Sequence, residues 1–204
     1  MANQKIQKGN KKYYESRAEE WTNQKTNSFF HEKEFTYLAS LLKKGDTVID
    51  IACAWGIHVP LFVGIGHKLR YVGIDFSKKM IAIAKRRFPL HDFRIGDITK
   101  RETLPKEKAV GFMMSAVLMH MPLTDWADIF ANIDSMTKKN AIGYITFPYE
   151  AGDALEDSRH FIYLDKAAFS KEIKKYGWKV VKTVVLKNKA RHKWNGYFVK
   201  KTNV

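Results

Sequence analysis

An aspartate stands at or near the end of each of the first three strand-like runs of this chain, and that repetition constrains the fold more than any other feature. Thr47-Val-Ile-Asp-Ile51 contains Asp50, Arg70-Tyr-Val-Gly-Ile74 is closed by Asp75, and the run from His91 to Ile95 is followed by Asp97. The first two runs are short, rich in β-branched residues and apolar along both faces, as in strands covered on each side by helices. Ala109 to Ser115 and Ala141 to Phe147 read as a fourth and a fifth strand. Helical stripes lie between them. Ser77 suits an N-cap for a helix carrying Met80, Ala84 and Phe88, and Trp126, Ile129, Phe130 and Ile133 recur at i, i+3, i+4, i+7.

Upstream, helices are predicted from Asn10 to Trp21 and from Phe29 to Lys44, the second with Phe35, Leu38 and Leu42 on one face and Gly45 as its stop. Downstream, Asp165 caps a helix bearing Phe169, Ile173 and Tyr176 and closed by Gly177. Strands from Trp178 to Leu186 and from Trp194 to Lys200 end the chain as a hairpin around the loop 187–193. Strands separated by helices imply parallel βαβ units. The expectation is therefore α/β: a Rossmann-like, doubly wound, mostly parallel seven-stranded sheet with a C-terminal antiparallel hairpin and N-terminal helices. No linker composition divides the 204 residues, which reads as one domain, 1–44 being an arm with lid helices and 45–204 the core.

Ligands of doubly wound sheets bind at the carboxyl ends of the strands, near the point where strand order reverses. The three aspartates fall there. Asp75 follows Asp50 by 25 residues, near the roughly 20 that separate a nucleotide-binding turn from its ribose-binding acid. A carboxylate offers two acceptor oxygens to vicinal hydroxyls, and Asp97 stands where an acceptor meets an exocyclic amine. The G-x-G-x-x-G fingerprint of nicotinamide dehydrogenases, a phosphate-loop lysine and a Gly-x-Ser-x-Gly elbow are all missing.

Val48-Ile-Asp-Ile-Ala-Cys-Ala-Trp-Gly56, Tyr71-Val-Gly-Ile-Asp-Phe-Ser-Lys-Lys-Met80 and Phe93-Arg-Ile-Gly-Asp97 resemble, in order, the first three motifs of class I S-adenosylmethionine-dependent methyltransferases. Phe112-Met-Met-Ser-Ala-Val-Leu-Met-His120 resembles the family's fourth-strand motif, and Phe161-Ile-Tyr-Leu through Tyr176-Gly-Trp-Lys-Val-Val181 its segment before the last two strands. The resemblance implies S-adenosylmethionine as cofactor and S-adenosylhomocysteine as product. Asp75 and Phe76 would meet the ribose, and Asp97 with Ile98 the adenine. Asp50, Ala52, Cys53, Ala54 and Gly56 would hold the methionine portion, with Met80, Ser115 and Tyr14 completing the pocket. The family favours glycine where Ala52 and Ala54 stand. Alanine at position 52 costs little if its backbone stays at negative φ, whereas a left-handed Ala54 would cost about 1 kcal/mol more than glycine.

On the acceptor side, His120, Tyr149 and Glu150 are the catalytic candidates, and Arg191 and His160 the substrate-binding ones. His160 is expected in a loop. Charge bears on the acceptor. The chain carries a net +15, of which residues 165–204 hold +10 and residues 1–12 hold +4. Basic segments flanking one opening suit an anionic small molecule. RNA is the alternative substrate, although Ser115-Ala-Val-Leu118 replaces any base-methylating Asn-Pro-Pro-Tyr-like motif. A non-catalytic S-adenosylmethionine-binding domain is the third reading. A single cysteine, Cys53, an N-terminus without a signal-peptide apolar core and a longest apolar stretch (109–123) too short to span a bilayer point to a cytoplasmic protein with no membrane partner. Seven histidines and one cysteine show no metal-ligand spacing.

Overall fold

The computed structural model describes residues 2–23, 32–64, 69–148, 152–156, 159–186 and 194–202. Helices α1 (Ala2–Ser16), α2 (Ala18–Asn23) and α3 (Glu32–Ser40) precede strand β1 (Thr47–Ile51). Then follow α4 (Val59–Gly64), β2 (Arg70–Asp75), α5 (Lys78–Arg87), β3 (Asp92–Ile95), β4 (Ala109–Ser115), α6 (Trp126–Met136) and β5 (Thr137–Pro148). The chain continues through β6 (Gly152–Glu156), β7 (Arg159–Tyr163), α7 (Lys166–Lys174), β8 (Trp178–Leu186) and β9 (Trp194–Lys201).

Seven strands form one sheet in the order β3-β2-β1-β4-β5-β9-β8. The first five are mutually parallel, β9 runs antiparallel to both β5 and β8, and β8 therefore runs with the parallel set. Strand order reverses between β1 and β4, which makes their carboxyl ends the switch point. The expected Rossmann-like α/β fold is the observed one.

Alternation along the strands sorts the core into two faces. Ile49, Ile51, Phe112 and Met114 pack with Trp126, Ile129, Phe130 and Ile133 of α6 and Phe169 of α7. Val48, Tyr71, Met113 and Tyr144 pack with Phe35 and Leu38 of α3 and Ile81 of α5. The Phe112 ring lies so close over Gly143 that a Cβ there would clash with it. Capping follows the sequence: the Ser77 side chain accepts from the Met80 amide and that of Asp165 from the Ala168 amide.

Three local features differ from expectation. Helix α1 begins at Ala2 and gives way to α2 across Arg17, where one helix starting at Asn10 was expected. Strand β5 starts at Thr137, directly after α6, because Ala109 pairs with Thr137 before a register shift. Residues 152–163 contain the antiparallel ribbon β6–β7. His160 thus lies in a strand rather than a loop: its backbone is paired with Leu155.

Candidate active site

The loop after β1 departs from ordinary backbone geometry at three consecutive even positions. Ala52 has φ 60°, Ala54 φ 48° and Gly56 φ 76°. The condition under which alanine is cheap at position 52, a negative φ, is not met: both alanines sit in the left-handed region, each at about 1 kcal/mol relative to glycine. Hydrogen bonds hold the loop there. The Cys53 amide donates to the Ile74 carbonyl (3.0 Å), and the Ala54 amide donates to Asp75 Oδ2 (2.9 Å).

Asp75 ends β2 and is buried, 6% of the residue remaining exposed. Its Oδ1 accepts from the Ser77 amide at 2.8 Å. Burial pushes its pKa up to about 6, against those two amide bonds and reinforced by the charges of Asp50 and Glu15. Each oxygen keeps a second lone pair for another donor.

Above these strand ends lies a cavity of about 450 Å³, inside the ~300–1,000 Å³ range of small-molecule sites. Helix α1 crosses it. Asn10 Nδ2 donates to the His120 carbonyl (3.1 Å), Lys11 pairs with Asp97, and the Tyr14 hydroxyl meets His120 Nε2 (2.9 Å). Asp97 also accepts from the Thr99 amide and hydroxyl. Burial raises the Asp97 pKa, but the bonds from Lys11 and Thr99 outweigh it and leave the carboxyl below its usual range.

Of the residues singled out in the sequence, Tyr14, Ala52, Ala54, Asp75, Phe76, Met80, Asp97, Ile98, Ser115 and His120 all border this cavity. Asp50, Cys53 and Gly56 lie behind its wall. Asp50 is fully buried on the other sheet face, where its Oδ2 accepts from the Tyr71 hydroxyl (2.7 Å) and contacts His58 Nδ1 (2.9 Å). The Cys53 thiol packs against Gly73, its pKa pushed well up by burial, and Gly56 abuts Phe88 and Phe93. Tyr149, Glu150 and Arg191 lie outside the described residues, as does the side chain of His160. The strand ends that flank Arg191, Leu186 and Trp194, pair at the carboxyl edge, and Trp194 borders the cavity.

Sequence reasoning missed His58, Arg159 and Phe161, which also border the cavity. Arg159 Nη1 donates to the Tyr14 hydroxyl at 3.2 Å, and its guanidinium lies 4.8 Å from the Tyr13 ring and 4.9 Å from the Phe161 ring. A guanidinium only donates, so the Tyr14 oxygen accepts from Arg159, and its own proton can go to His120 Nε2 when that nitrogen is unprotonated. Burial raises the Tyr14 pKa, and the neighbouring Arg159 charge opposes that rise. Among the described residues no group of three or more His, Cys, Asp and Glu side chains could hold a metal, and no helix is long and apolar enough to cross a membrane.

Residues 48–140 match a family described as a methyltransferase domain. Over that stretch the chain is similar to a methyltransferase domain. No curated protein sequence matches it. Among solved structures, this chain superposes on the Burkholderia thailandensis 1,6-didemethyltoxoflavin-N1-methyltransferase, with bound 1,6-didemethyltoxoflavin and S-adenosylhomocysteine, with a TM-score of 0.83 at 13% identity over 100% of this chain and 92% of that one. The magnesium protoporphyrin IX methyltransferase of Synechocystis PCC 6803, with bound S-adenosylmethionine, gives 0.71 at 16% identity over 94% of each chain. The [4+2]-cyclase SpnF gives 0.68 at 15% identity over 85% of this chain and 81% of its own. Such likenesses establish the fold, and SpnF illustrates that one fold hosts more than one reaction.

Proposed function

We propose that this methyltransferase moves a methyl group from S-adenosylmethionine to an anionic small-molecule acceptor. The carrying observation is the composition of the cavity wall, which brings the acids Asp75 and Asp97 together with the Tyr14–His120–Arg159 group. In this reading Asp75 and Phe76 take the ribose, and Asp97 with Ile98 the adenine. Ala52, Ala54, Met80 and Ser115 shape the remainder, Cys53 and Gly56 support the loop from behind, and Asp50 acts from behind the wall. The residues fit the cofactor because Asp75 retains acceptor capacity on both oxygens and the wall is otherwise largely apolar. Helices α1 and α2, within the arm 1–44, would close the core 45–204.

The cofactor supplies an electrophilic methyl for in-line displacement, so the protein's task is positioning and, for a protic acceptor, removal of one proton. Tyr14 and His120 suit that proton. An acceptor hydroxyl or amine beside Tyr14 would pass its proton to the phenolic oxygen as the Tyr14 proton passes to His120 Nε2. Arg159 supports an anionic acceptor, as a guanidinium offers a bidentate fork to carboxylate or phosphate. Arg191 and His160, with Tyr149 and Glu150, would add to the same mouth. A small-molecule acceptor is also what one structural neighbour holds: the Burkholderia enzyme has 1,6-didemethyltoxoflavin bound. The buried, single Cys53 suits a reducing cytoplasm.

The test is S-adenosylhomocysteine release from S-adenosylmethionine in the presence of fractionated metabolites and of RNA. Turnover with an anionic metabolite fraction supports the proposal. Turnover with RNA alone, falling steeply with salt, would replace it with the RNA reading. Tight cofactor binding with no turnover on any fraction would favour the non-catalytic one.

A further inference from the structure

The amino edge of the sheet, at the opposite end of the strands from the cavity, carries a cluster of lysines that the chemistry above leaves unused. Lys179 on β8 and Lys200 on β9 are register partners, so their side chains stand together on one face of the sheet. Like charges placed directly opposite each other destabilise an antiparallel pair. The face is the one packed on α3. Phe198, two residues before Lys200, belongs to the Phe35–Tyr144 cluster, and its register partner Lys182 holds Nζ 3.5 Å from the Tyr37 ring centroid. Around the corner, Lys138 and Lys139 fall in the stretch of β5 between Thr137 and Ile142 where the ladder with β4 shifts register. Lys174 ends α7 shortly before β8. Lys138, Lys139, Lys174, Lys179 and Lys200 are all exposed. Acids of this region are already engaged, Asp134 by Lys201 at 2.6 Å and Glu172 by Lys175 at 2.6 Å. Among the described residues, no carboxylate lies within ion-pair distance of any of the five lysines.

Two ordinary explanations fall short. Lysines guard an edge strand against pairing with another chain, which accounts for Lys179 and Lys182 on β8. That does not account for Lys200, because β9 lies between β5 and β8, nor for Lys138 and Lys139 on β5. Charge for the active site is the second explanation. Lys200 is six residues along β9 from Trp194 at the cavity, roughly 20 Å at about 3.4 Å per residue. Part of the positive charge of residues 165–204 therefore faces away from the opening it was expected to flank. Uncompensated cations concentrate anions, and they bind a chain of phosphates in proportion to the number neutralised. These lysines span two surfaces, the α3 face and the amino edge. A planar bilayer meets only one of the two, whereas a flexible phosphodiester chain follows both. We propose that this corner is a docking surface for the backbone of single-stranded RNA, held as an anchor and not as the methyl acceptor. Lysine presents a point charge without the planar fork of arginine, and the Tyr37 ring lies under Lys182. Phosphates rather than base sequence then set the affinity. The proposal stands independently of the cofactor reading.

The test is fluorescence anisotropy of the full chain with a labelled oligouridylate over a series of salt concentrations. Binding to a single strand weakens with a log–log salt slope of about −0.7 per phosphate neutralised. A triple variant, Lys139→Gln, Lys179→Gln and Lys200→Gln, should flatten the slope by about 2 and weaken binding about a hundredfold at ~0.1 M salt. An equally charged control, Lys33→Gln, Lys79→Gln and Lys85→Gln, changes exposed lysines elsewhere and should stay within about threefold of wild type, since distant charges are screened. Equal losses in the two triples would reduce the effect to net charge and overturn the proposal. Wild-type protein that binds phosphatidylserine vesicles and not oligouridylate would overturn it in favour of a membrane surface, and binding to neither would overturn it outright. Should the first triple variant not fold, amine acylation of the wild type read by mass spectrometry decides. Oligouridylate should shield Lys139, Lys179 and Lys200 and leave Lys33, Lys79 and Lys85 reactive, and the same protection at both sets, or none at the first, would overturn the proposal.

Discussion

The backbone amide of Ala54 donates to Asp75 Oδ2 at 2.9 Å, so the strained loop after β1 and the acid at the end of β2 are one mechanical unit. A left-handed alanine is held in place by the carboxylate assigned here to the ribose. Asp75→Ala should therefore act twice, removing acceptors for the ligand and releasing the loop. The expected loss of S-adenosylhomocysteine affinity is ~1.5–3 kcal/mol, the value of hydrogen bonds to a charged group. A folded variant with unchanged affinity by calorimetry would defeat the assignment.

Asp75 also predicts a pH dependence. An unfolded aspartate titrates near 3.9, whereas burial holds Asp75 up to about 6. Between those values the ligand-free folded protein retains a proton that the unfolded chain has lost, so its stability declines as pH rises through the window. A ribose hydroxyl donates to the ionised carboxylate, so affinity for S-adenosylhomocysteine should be level above pH ~7 and fall up to about tenfold per unit below 6. The rise in Tm given by saturating ligand should accordingly be larger at pH 7.5 than at pH 5. A pH-independent affinity would mean that the ligand does not use this carboxylate.

Ala54→Gly relieves the left-handed strain at φ 48°. Glycine also widens the unfolded ensemble, so the net gain should be below ~1 kcal/mol, or up to about 2–4 °C in Tm for a chain of this size. Cofactor affinity should hold or improve. A folded Ala54→Gly variant that binds S-adenosylhomocysteine more weakly would show that the Ala54 methyl is itself a ligand contact.

The strands and their acids were legible because burial on both faces leaves an unmistakable pattern in Thr47–Ile51 and Ala109–Ser115, and because acids at successive strand ends are hard to explain as turn residues alone. Two things were not legible. The β6–β7 ribbon is short, and a two-stranded ribbon gains its stability from what it packs on. Here Arg159 and Phe161 pack against Tyr13, Tyr14 and His120, residues more than forty positions upstream, and no local pattern announces that. His58 was passed over because a lone histidine after a turn carries no signal. Its partner Asp50 is eight residues back on the preceding strand, and only the fold brings them within 2.9 Å. The sign of φ at Ala52 was equally hidden, since nothing in Ile51-Ala-Cys-Ala says that a bond to Ile74 will tighten the loop there.

Tyr14→Phe separates proton transfer from binding. The hydroxyl touches both His120 Nε2 and Arg159 Nη1, so its loss removes the relay without opening the pocket. With a protic acceptor, kcat should drop about a hundredfold, the lower range for general acid–base catalysis. Affinity for S-adenosylhomocysteine should be unchanged within error. A fall in affinity with kcat intact would make Tyr14 a cofactor contact only.

The last prediction distinguishes the two arginines proposed for the acceptor, Arg159 and Arg191. Strand β8 runs parallel to β1–β5, so Leu186 and Trp194 bring the ends of the loop containing Arg191 to the carboxyl edge of the sheet, where Trp194 borders the cavity. Arg159 reaches the same cavity from β7, with Tyr13, Tyr14 and Phe161 around its guanidinium. Arg191→Ala should raise KM for an anionic acceptor and leave cofactor affinity alone, because the guanidinium is proposed for the acceptor and not for the cofactor. Arg159→Met should raise KM as well and, in addition, lower kcat, since Tyr14 loses the donor that fixes its hydroxyl toward His120. The measurement is KM and kcat for the identified acceptor beside S-adenosylhomocysteine affinity in each variant. If Arg191→Ala weakens acceptor and cofactor equally, the loop supports the fold rather than the acceptor. If Arg159→Met changes neither constant, the guanidinium serves only to pin α1 to the β6–β7 ribbon, and the case for an anionic acceptor loses its main support.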